Sequence, residues 1–119
     1  CVMTAQCPNA TAYAITAVPF DSRTIPECYI LLRDIPLSPF KTLYTEAEKV
    51  ADMVSLSTPV AMVQNDCVLV VGSNVLNAFD RLEVAEFSAK ALIDTAVLGQ
   101  HVPIGEEEIR DLEVAFSLP

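Results

Sequence analysis

The stretch that decides the fold is Ala61-Met-Val-Gln-Asn-Asp-Cys-Val-Leu-Val-Val-Gly-Ser-Asn-Val-Leu-Asn-Ala-Phe-Asp-Arg-Leu-Glu-Val-Ala-Glu-Phe-Ser-Ala-Lys90. Its pattern predicts a buried strand, a tight polar corner, a second buried strand, a glycine turn and a long amphipathic helix. The apolar runs 60–63 and 68–71 are continuous, which is typical of central strands covered on both faces. The stretch therefore predicts a sheet with helices packed against it.

The first half of the chain adds shorter elements to this sheet. Val2–Ala5 is predicted to be a strand, and Pro8 is predicted to start a helix, because proline is favoured in a first turn. The apolar run Cys28–Leu32 is predicted to be a strand, and Ile35–Leu37 a second short strand between prolines. The prolines lie between the periodic segments and separate these elements.

Three helices are predicted in the second half. Thr45 with Glu48 has the spacing of a capping box for a helix from Glu46 to about Ser55. Ser73 is predicted to cap the long helix, which Gly99 ends. The last helix is expected from Glu106 to Phe116, with acids in its first turn. The long helix is expected to pack on the strands through its apolar positions Val75, Leu76, Phe79, Leu82, Phe87 and Leu92.

Composition limits the classes of function. The chain has 119 residues, which suits one domain or part of one, and a net charge of −9, which disfavours nucleic acids and anionic membrane surfaces. No apolar run is long enough to cross a bilayer, and no leader-like segment is recognised. The four cysteines form no CxxC pair, so reduced thiols and a cytoplasmic location are expected.

Three blocks of sequence resemble the class II aldolase/adducin family. They are 4–12, which is similar to a family segment where a His-x-His pair precedes an alanine-rich helix; 25–29 with 35–40; and 59–90. The resemblance implies the C-terminal portion of a three-layer α/β/α domain, spanning residues 1–119. It also implies that a second chain carries the N-terminal part of the domain and completes the sheet, and that the assembly is a homo-oligomer, expected to be a tetramer.

The resemblance also concerns a metal site. In metal-dependent members, three histidines bind a divalent cation that polarises a carbonyl and stabilises an enediolate. The matching positions here are Thr4, Gln6 and Asp66. Threonine and glutamine are poor zinc ligands, and one carboxylate rarely makes a site. Neither a metal nor another cofactor is therefore expected.

The same positions supply the candidate site residues. Thr4, Gln6, Asn65 and Asp66 are predicted to line a substrate pocket, because alternation places Thr4 and Gln6 on one face of a strand. Cys67, beside the corner, is a candidate thiol nucleophile, although free cysteines are more often buried apolar residues.

Two further catalytic candidates lie outside the corner. Tyr29 is close to the position where some aldolases place a proton-donating tyrosine, although a core or rim tyrosine is the more ordinary interpretation. Cys1 is a candidate N-terminal nucleophile, produced by autoproteolytic cleavage of a precursor and expected at the active pocket because its strand leads directly to Thr4 and Gln6. Ordinary loss of an initiator Met is the competing explanation for a chain that starts at Cys1.

Two functions remain open at this stage. The first is a metal-independent lyase-type enzyme acting on a small polar carbonyl compound. The second is a non-catalytic structural or interaction subunit, as adducin heads are. A conventional lyase with unusual metal ligands is a third, less favoured option. The replaced histidines favour the second function, whereas the polar residues retained at those positions favour the first.

Overall fold

The computed structural model describes all 119 residues as an α/β domain of four strands and six helices. In chain order the elements are β1 (Val2–Ala5), α1 (Pro8–Ile15), α2 (Pro26–Leu32), β2 (Leu37–Ser38), α3 (Thr42–Thr45), α4 (Ala47–Met53), β3 (Val60–Val63), β4 (Cys67–Val71), α5 (Val75–Leu98) and α6 (Glu106–Ala115).

The four strands form one mixed sheet in the order β1-β4-β3-β2. β4 pairs antiparallel with both β1 and β3, whereas β2 pairs parallel with β3. In this register Val2 lies opposite Val71, and Val63 lies opposite Cys67. The sheet therefore has two edge strands, β1 and β2, and its two centre strands are those predicted from the apolar runs.

Helices cover both faces of the sheet, which confirms the predicted α/β/α arrangement. On one face, alternate residues of β3 and β4 join the main core beneath α1 and α5; they are Val60, Met62, Val68 and Val70. On the other face, Ala61, Val63 and Leu69 are also buried. At this second face α3 is joined to the sheet, because Ser38 of β2 and Thr42 of α3 share a 2.5 Å hydroxyl–hydroxyl hydrogen bond.

Small residues bring α5 close to α1. The buried positions of α5 are Ala78, Leu82, Ala85, Ser88, Ala89 and Leu92, and α1 contributes Ala10 and Ala14. Phe79, in contrast, is 45% exposed. The expectation that Val75, Leu76, Phe79 and Phe87 pack on the strands is therefore wrong, because the buried face of α5 is rich in alanine rather than in large apolar residues.

The segment Cys28–Leu32 is helical, so the strand predicted there is wrong. It forms most of α2, which begins with Pro26 in its first turn and carries Glu27 beside it. Both features favour a helix N-terminus. The second predicted strand exists but occupies Leu37–Ser38 rather than Ile35–Leu37.

The helix ends agree only partly with the sequence-based predictions. Gly99 follows the last residue of α5 with φ 143°, a conformation that favours glycine, so the predicted end is confirmed. Asn74, not Ser73, caps the start of α5, since its side chain accepts a hydrogen bond from the amide of Asn77 at 2.9 Å. The predicted Thr45 capping box does not form, because the Thr45 hydroxyl donates to the carbonyl of Lys41 instead.

None of the six helices combines the length and the apolar character that crossing a membrane would require.

A candidate active-site cleft at the end of the central hairpin

One cleft unites most of the residues that the sequence singles out. It has a volume of about 280 Å³ and lies where the end of β1 meets the start of β4. We call it the polar cleft; its lining residues are Thr4, Ala5, Gln6, Leu43, Tyr44, Asp66 and Cys67.

The turn between β3 and β4 places Asp66 at this cleft. Asn65 occupies the turn with φ 56°, a left-handed conformation that asparagine tolerates better than most residues. The Asn65 amide donates to the carbonyl of Ala14 at 2.7 Å, and the Gln64 side chain donates to the same carbonyl at 2.6 Å. The end of α1 therefore fixes the hairpin. Asn65 itself, a predicted pocket residue, shapes the turn and does not line the cleft.

The alternation of side chains along β1 places two other polar groups, those of Thr4 and Gln6, at the cleft. Met3, Ala5 and Cys7 pack towards the core, so Thr4 and Gln6 are exposed on the opposite face. The Gln6 side-chain amide donates to the main-chain carbonyl of Asp66 at 3.4 Å. This contact connects the two strands at the cleft.

Cys67 lies in the cleft wall, and the residue as a whole is only 4% exposed. Burial and then the negative charge of Asp66 raise the pKa of Cys67 to about 11. Only about one Cys67 side chain in ten thousand is then a thiolate at pH 7. A protonated thiol donates a weak hydrogen bond and is a poor nucleophile.

This raised pKa predicts a loss of stability at high pH. The unfolded thiol loses its proton near its ordinary pKa of 9.0, whereas the folded thiol keeps it until about 11. The raised pKa of Cys67 therefore contributes about 3 kcal/mol to the free energy of unfolding. This contribution is fully present below pH 9 and is lost as the pH rises through 11. Urea unfolding of the protein and of Cys67→Ser at pH 8 and pH 11 measures it. An equal pH dependence in both proteins would contradict the assignment.

A carboxylate from α5 supports the helix that follows Gln6. Glu86 accepts hydrogen bonds from the amide of Asn9 at 2.6 and 3.2 Å and from that of Ala10 at 3.3 Å. Cys7, at the N-cap position of α1, makes no side-chain cap. Glu86 thus satisfies amides that would otherwise lack partners. Burial, followed by the charge of Glu86, also raises the pKa of Cys7.

Cys1 and Tyr29 are separated from the polar cleft. The Cys1 amino group donates to the carbonyl of Gly72 at 2.7 Å, at the far end of β4. β4 has five residues, so Cys1 lies roughly 15 Å from Cys67 along the strand. The expectation that Cys1 sits at the pocket therefore does not agree with this geometry.

Tyr29 belongs to a different part of the molecule. Its hydroxyl donates to Glu113 of α6 at 2.7 Å, and the guanidinium groups of Arg23 and Arg33 lie 5.6 and 5.5 Å from its ring centre. Burial, followed by the hydrogen bond to Glu113, raises the pKa of Tyr29. These contacts attach α6 to α2 and do not reach the cleft.

Sequence reasoning missed Leu43 and Tyr44 as cleft residues. They lie on α3, a four-residue helix that no periodic pattern predicts. The sequence distance to Asp66 gives no signal that they meet. Tyr44 is 79% exposed, a property that becomes visible only in the folded structure.

The residues present do not fit a divalent metal of the kind that three histidines hold. Asp66 provides the only carboxylate of the cleft, and the Cys67 thiol is protonated at neutral pH. The amide oxygen of Gln6 is a poor ligand for zinc, and no group of three His, Cys, Asp or Glu side chains comes together anywhere in the chain. One carboxylate with a threonine hydroxyl is too weak a donor set for a stable site.

The fold is similar to several solved aldolase structures. L-fuculose 1-phosphate aldolase superimposes with a TM-score of 0.77 at 22% identity, covering 98% of this chain and 55% of that protein. An aldolase II superfamily protein from Pseudomonas syringae gives 0.76 at 17% identity, covering 98% and 47%. YgbL from Escherichia coli gives 0.73 at 19% identity, covering 87% and 52%. The chain therefore spans about half the length of these structures.

The amino-acid sequence assigns the family directly. No curated protein gives a significant match to the chain. Residues 1–93, however, match the family model described as Class II Aldolase and Adducin N-terminal domain. This match includes every residue that lines the polar cleft. The chain therefore belongs to the class II aldolase and adducin N-terminal domain family.

Proposed function

We propose that this chain forms one wall of the active site of a class II aldolase-like enzyme, with lyase-type chemistry on a small polar carbonyl compound and without a metal ion. The observation that carries the proposal is the convergence of Thr4, Gln6, Asp66 and Cys67 on one cleft of about 280 Å³. A carboxylate beside neutral hydrogen-bond donors provides a base and a set of groups for a developing oxyanion.

The residues of the polar cleft have the groups needed to cleave a carbon–carbon bond of the substrate. Asp66 accepts the proton of the substrate hydroxyl, whose oxygen becomes the carbonyl oxygen of the departing aldehyde as the bond between the two carbon atoms breaks. The electron pair of that bond passes to the neighbouring carbonyl and forms an enediolate. Thr4 and Gln6 donate hydrogen bonds to the enediolate oxygen, and protonated Asp66 returns the proton to carbon. One well-placed donor contributes about 10²- to 10³-fold in rate.

The roles of the three cysteine and tyrosine candidates differ in this scheme. Cys67 acts as a protonated hydrogen-bond donor in the cleft wall, because burial and the carboxylate of Asp66 hold its pKa near 11. Cys1 and Tyr29 lie elsewhere and have no part in it. Asn65 contributes by shaping the turn that presents Asp66.

We also propose that a second chain completes the domain and that the unit assembles as a tetramer in the cytoplasm. The strands β1 and β2 are both sheet edges, and Val2 on β1 is 69% exposed. An apolar edge strand is normally covered by a neighbour. All four cysteines are free thiols, which a reducing compartment favours. Analytical ultracentrifugation with intact-mass analysis tests the composition; a stable monomer of this chain alone would contradict it.

A non-catalytic, adducin-like role is the second candidate. Its support is that the cleft contains no histidine, no thiolate and a single carboxylate, which is a sparse set for catalysis. In that case the cleft is a remnant of the family site, and the protein acts through its surfaces.

Proton exchange at carbon distinguishes these two functions. The native protein is incubated with 1,3-dihydroxyacetone in D₂O with a chelator, and proton NMR follows deuterium uptake next to the carbonyl. We expect catalysed exchange that Asp66→Asn slows at least about 100-fold. The control Asp52→Asn changes an exposed acid of α4 and should exchange like the unmodified protein.

The remaining outcomes of this experiment are also informative. Absence of catalysed exchange by the unmodified protein would refute the enzymatic proposal and favour the structural role. Elemental analysis of the same sample tests metal independence. About one divalent metal per chain, lost in Asp66→Asn together with the activity, would overturn that part of the proposal.

A further inference from the structure

We propose that α6 is an acidic latch, which occupies a carboxylate-binding surface of this domain and opens from it as a unit while the sheet and α5 stay folded. The surface consists of Arg23, Tyr29 and Arg33, and we call it the arginine–tyrosine surface. It shares no residue with the polar cleft, so the latch is independent of the proposed function. The ion pairs of α6, the conformation of Arg33 and the small apolar contact of the helix support this assignment.

Acidic side chains at both ends of α6 hold it on this surface. Glu113 accepts a hydrogen bond from the Tyr29 hydroxyl at 2.7 Å and lies 3.5 Å from the Arg33 guanidinium. Glu106, at the other end of the helix, pairs with Arg23. Both guanidinium groups also lie close to the Tyr29 ring. The two carboxylates of α6 therefore bind one cluster in which two cations share an aromatic neighbour.

Arg33 requires a carboxylate because it is buried and strained. The residue is 9% exposed and adopts φ 56°, a left-handed conformation that is uncommon for arginine. Its guanidinium donates to the main-chain carbonyl of Pro119 at 2.8 Å, whereas its Nε has no hydrogen-bond partner. A charge in such a position is stable only when an opposite charge is near it. Glu113 of α6 provides that charge.

Apolar packing adds little to these ion pairs. Ile109 is the only buried side chain among the ten residues of α6, whereas α5 buries six. An isolated helix of this length is marginal in water, and each exposed ion pair contributes little to stability. The side chain of Glu106 is 74% exposed. α6 should therefore open at a lower free energy than α5.

The linker between α5 and α6 confines the opening to α6. His101 Nε2 lies 2.9 Å from the carboxylate of Asp21, and the Ile104 amide donates to the carbonyl of Arg23 at 2.8 Å. Residues 101–104 are therefore fastened to the segment that precedes α2. The chain can pivot after Ile104, at Gly105, without loosening α5.

Hydrogen exchange of the native protein, followed for each amide by NMR, tests the latch. We expect the α6 amides of residues 109–116 to share one protection factor, at least about 100-fold below that of the buried part of α5, residues 82–92. Raising NaCl from about 0.05 M to about 0.5 M should lower the α6 value about threefold relative to the α5 value, because salt screens the ion pairs. Both measurements use the unmodified protein and do not depend on the folding of a variant.

A pair of variants tests the role of the arginine–tyrosine surface. Glu113→Gln should lower the protection of α6 about tenfold, because it removes the charge that Tyr29 and Arg33 contact. Asp111→Asn is the matched control, since it removes a negative charge from an exposed position of the same helix. It should leave the protection of α6 within about twofold of the original value.

Three results would overturn the latch. Equal protection of α6 and α5 would mean that the two helices open together. Protection that declines gradually towards residue 116 would mean fraying of the helix end rather than opening as a unit. Equal effects of Glu113→Gln and Asp111→Asn, or the lack of a response to salt, would mean that the arginine–tyrosine surface does not hold α6.

Discussion

Gly72→Ala is expected to lower the free energy of unfolding by about 3 kcal/mol, because the new methyl group would collide with backbone atoms of α5 as well as with the Asn77 side chain. A Cβ at this position would lie 2.6 Å from the amide nitrogen of Ala78 and 2.9 Å from its Cα. These atoms belong to the first turns of α5, which cannot yield without moving the whole helix.

A shift at Gly72 would also disturb the end of the sheet. The Gly72 amide donates to the carbonyl of Cys1 at 2.9 Å, and the Cys1 amino group donates to the carbonyl of Gly72 at 2.7 Å. Gly105→Ala is the matched control, because its Cβ would approach only the flexible carboxylate end of Glu108 closely. Chemical denaturation of both variants measures the effect. Similar losses in the two would mean that close approach at Gly72 is not the cause.

Leu32→Ala is expected to destabilise the protein by about 3–4 kcal/mol. The Leu32 side chain is fully buried in the main core, and its truncation removes apolar contacts and leaves a cavity. Leu76→Ala removes the same atoms from a side chain that is 74% exposed on α5. The control should cost less than about 1 kcal/mol.

The pair of leucine variants also tests how α2 is placed. If Leu76→Ala costs as much as Leu32→Ala in thermal or urea unfolding, then the outer face of α5 is covered in the native assembly. A small effect of Leu32→Ala would contradict the helical placement of residues 26–32, because the side chain would then not be enclosed.

The central hairpin and the long helix could be predicted because local pattern and tertiary position agree there. Val60–Val63 and Cys67–Val71 are apolar at every position and lie at the centre of the sheet. Cys28–Leu32 is equally apolar, and a short run of this kind does not distinguish a buried strand from a buried helix. Pro26 was the useful signal, since it favours the first turn of a helix.

Packing partners explain the other errors. Hydrophobicity selects Phe79 and Phe87 on α5, yet the inward positions are Ala78, Ala85 and Ala89. Alanines face inward because α1 approaches through its own Ala10 and Ala14, and this complementarity is a property of two helices together. The same limitation applies to Glu86, whose carboxylate caps a helix that lies about 75 positions earlier in the chain.

The candidate site, like the fold, could be predicted only in part from the sequence. Thr4, Gln6, Asp66 and Cys67 could be brought together because strand alternation and a tight turn determine their positions. Leu43 and Tyr44 reach the cleft because they lie in the long connection between β2 and β3. The path of this connection cannot be predicted from local sequence patterns. The antiparallel pairing of β1 with β4 also explains the position of Cys1. Because the pairing brings Gln6 next to Asp66 at one end of β4, Cys1 must lie at the other end.

The pairing of β1 with β4 has a consequence for the order of events on the ribosome. Val2 finds its partner Val71 only about 70 positions later. At about 5–20 residues per second, β1 waits roughly 4–14 seconds after synthesis before β4 exists. During that interval its hydrogen-bonding groups and apolar side chains have no native neighbour. Nascent-chain folding should therefore be late and cooperative, and chaperone binding should concentrate on the first residues of this strand until the hairpin emerges.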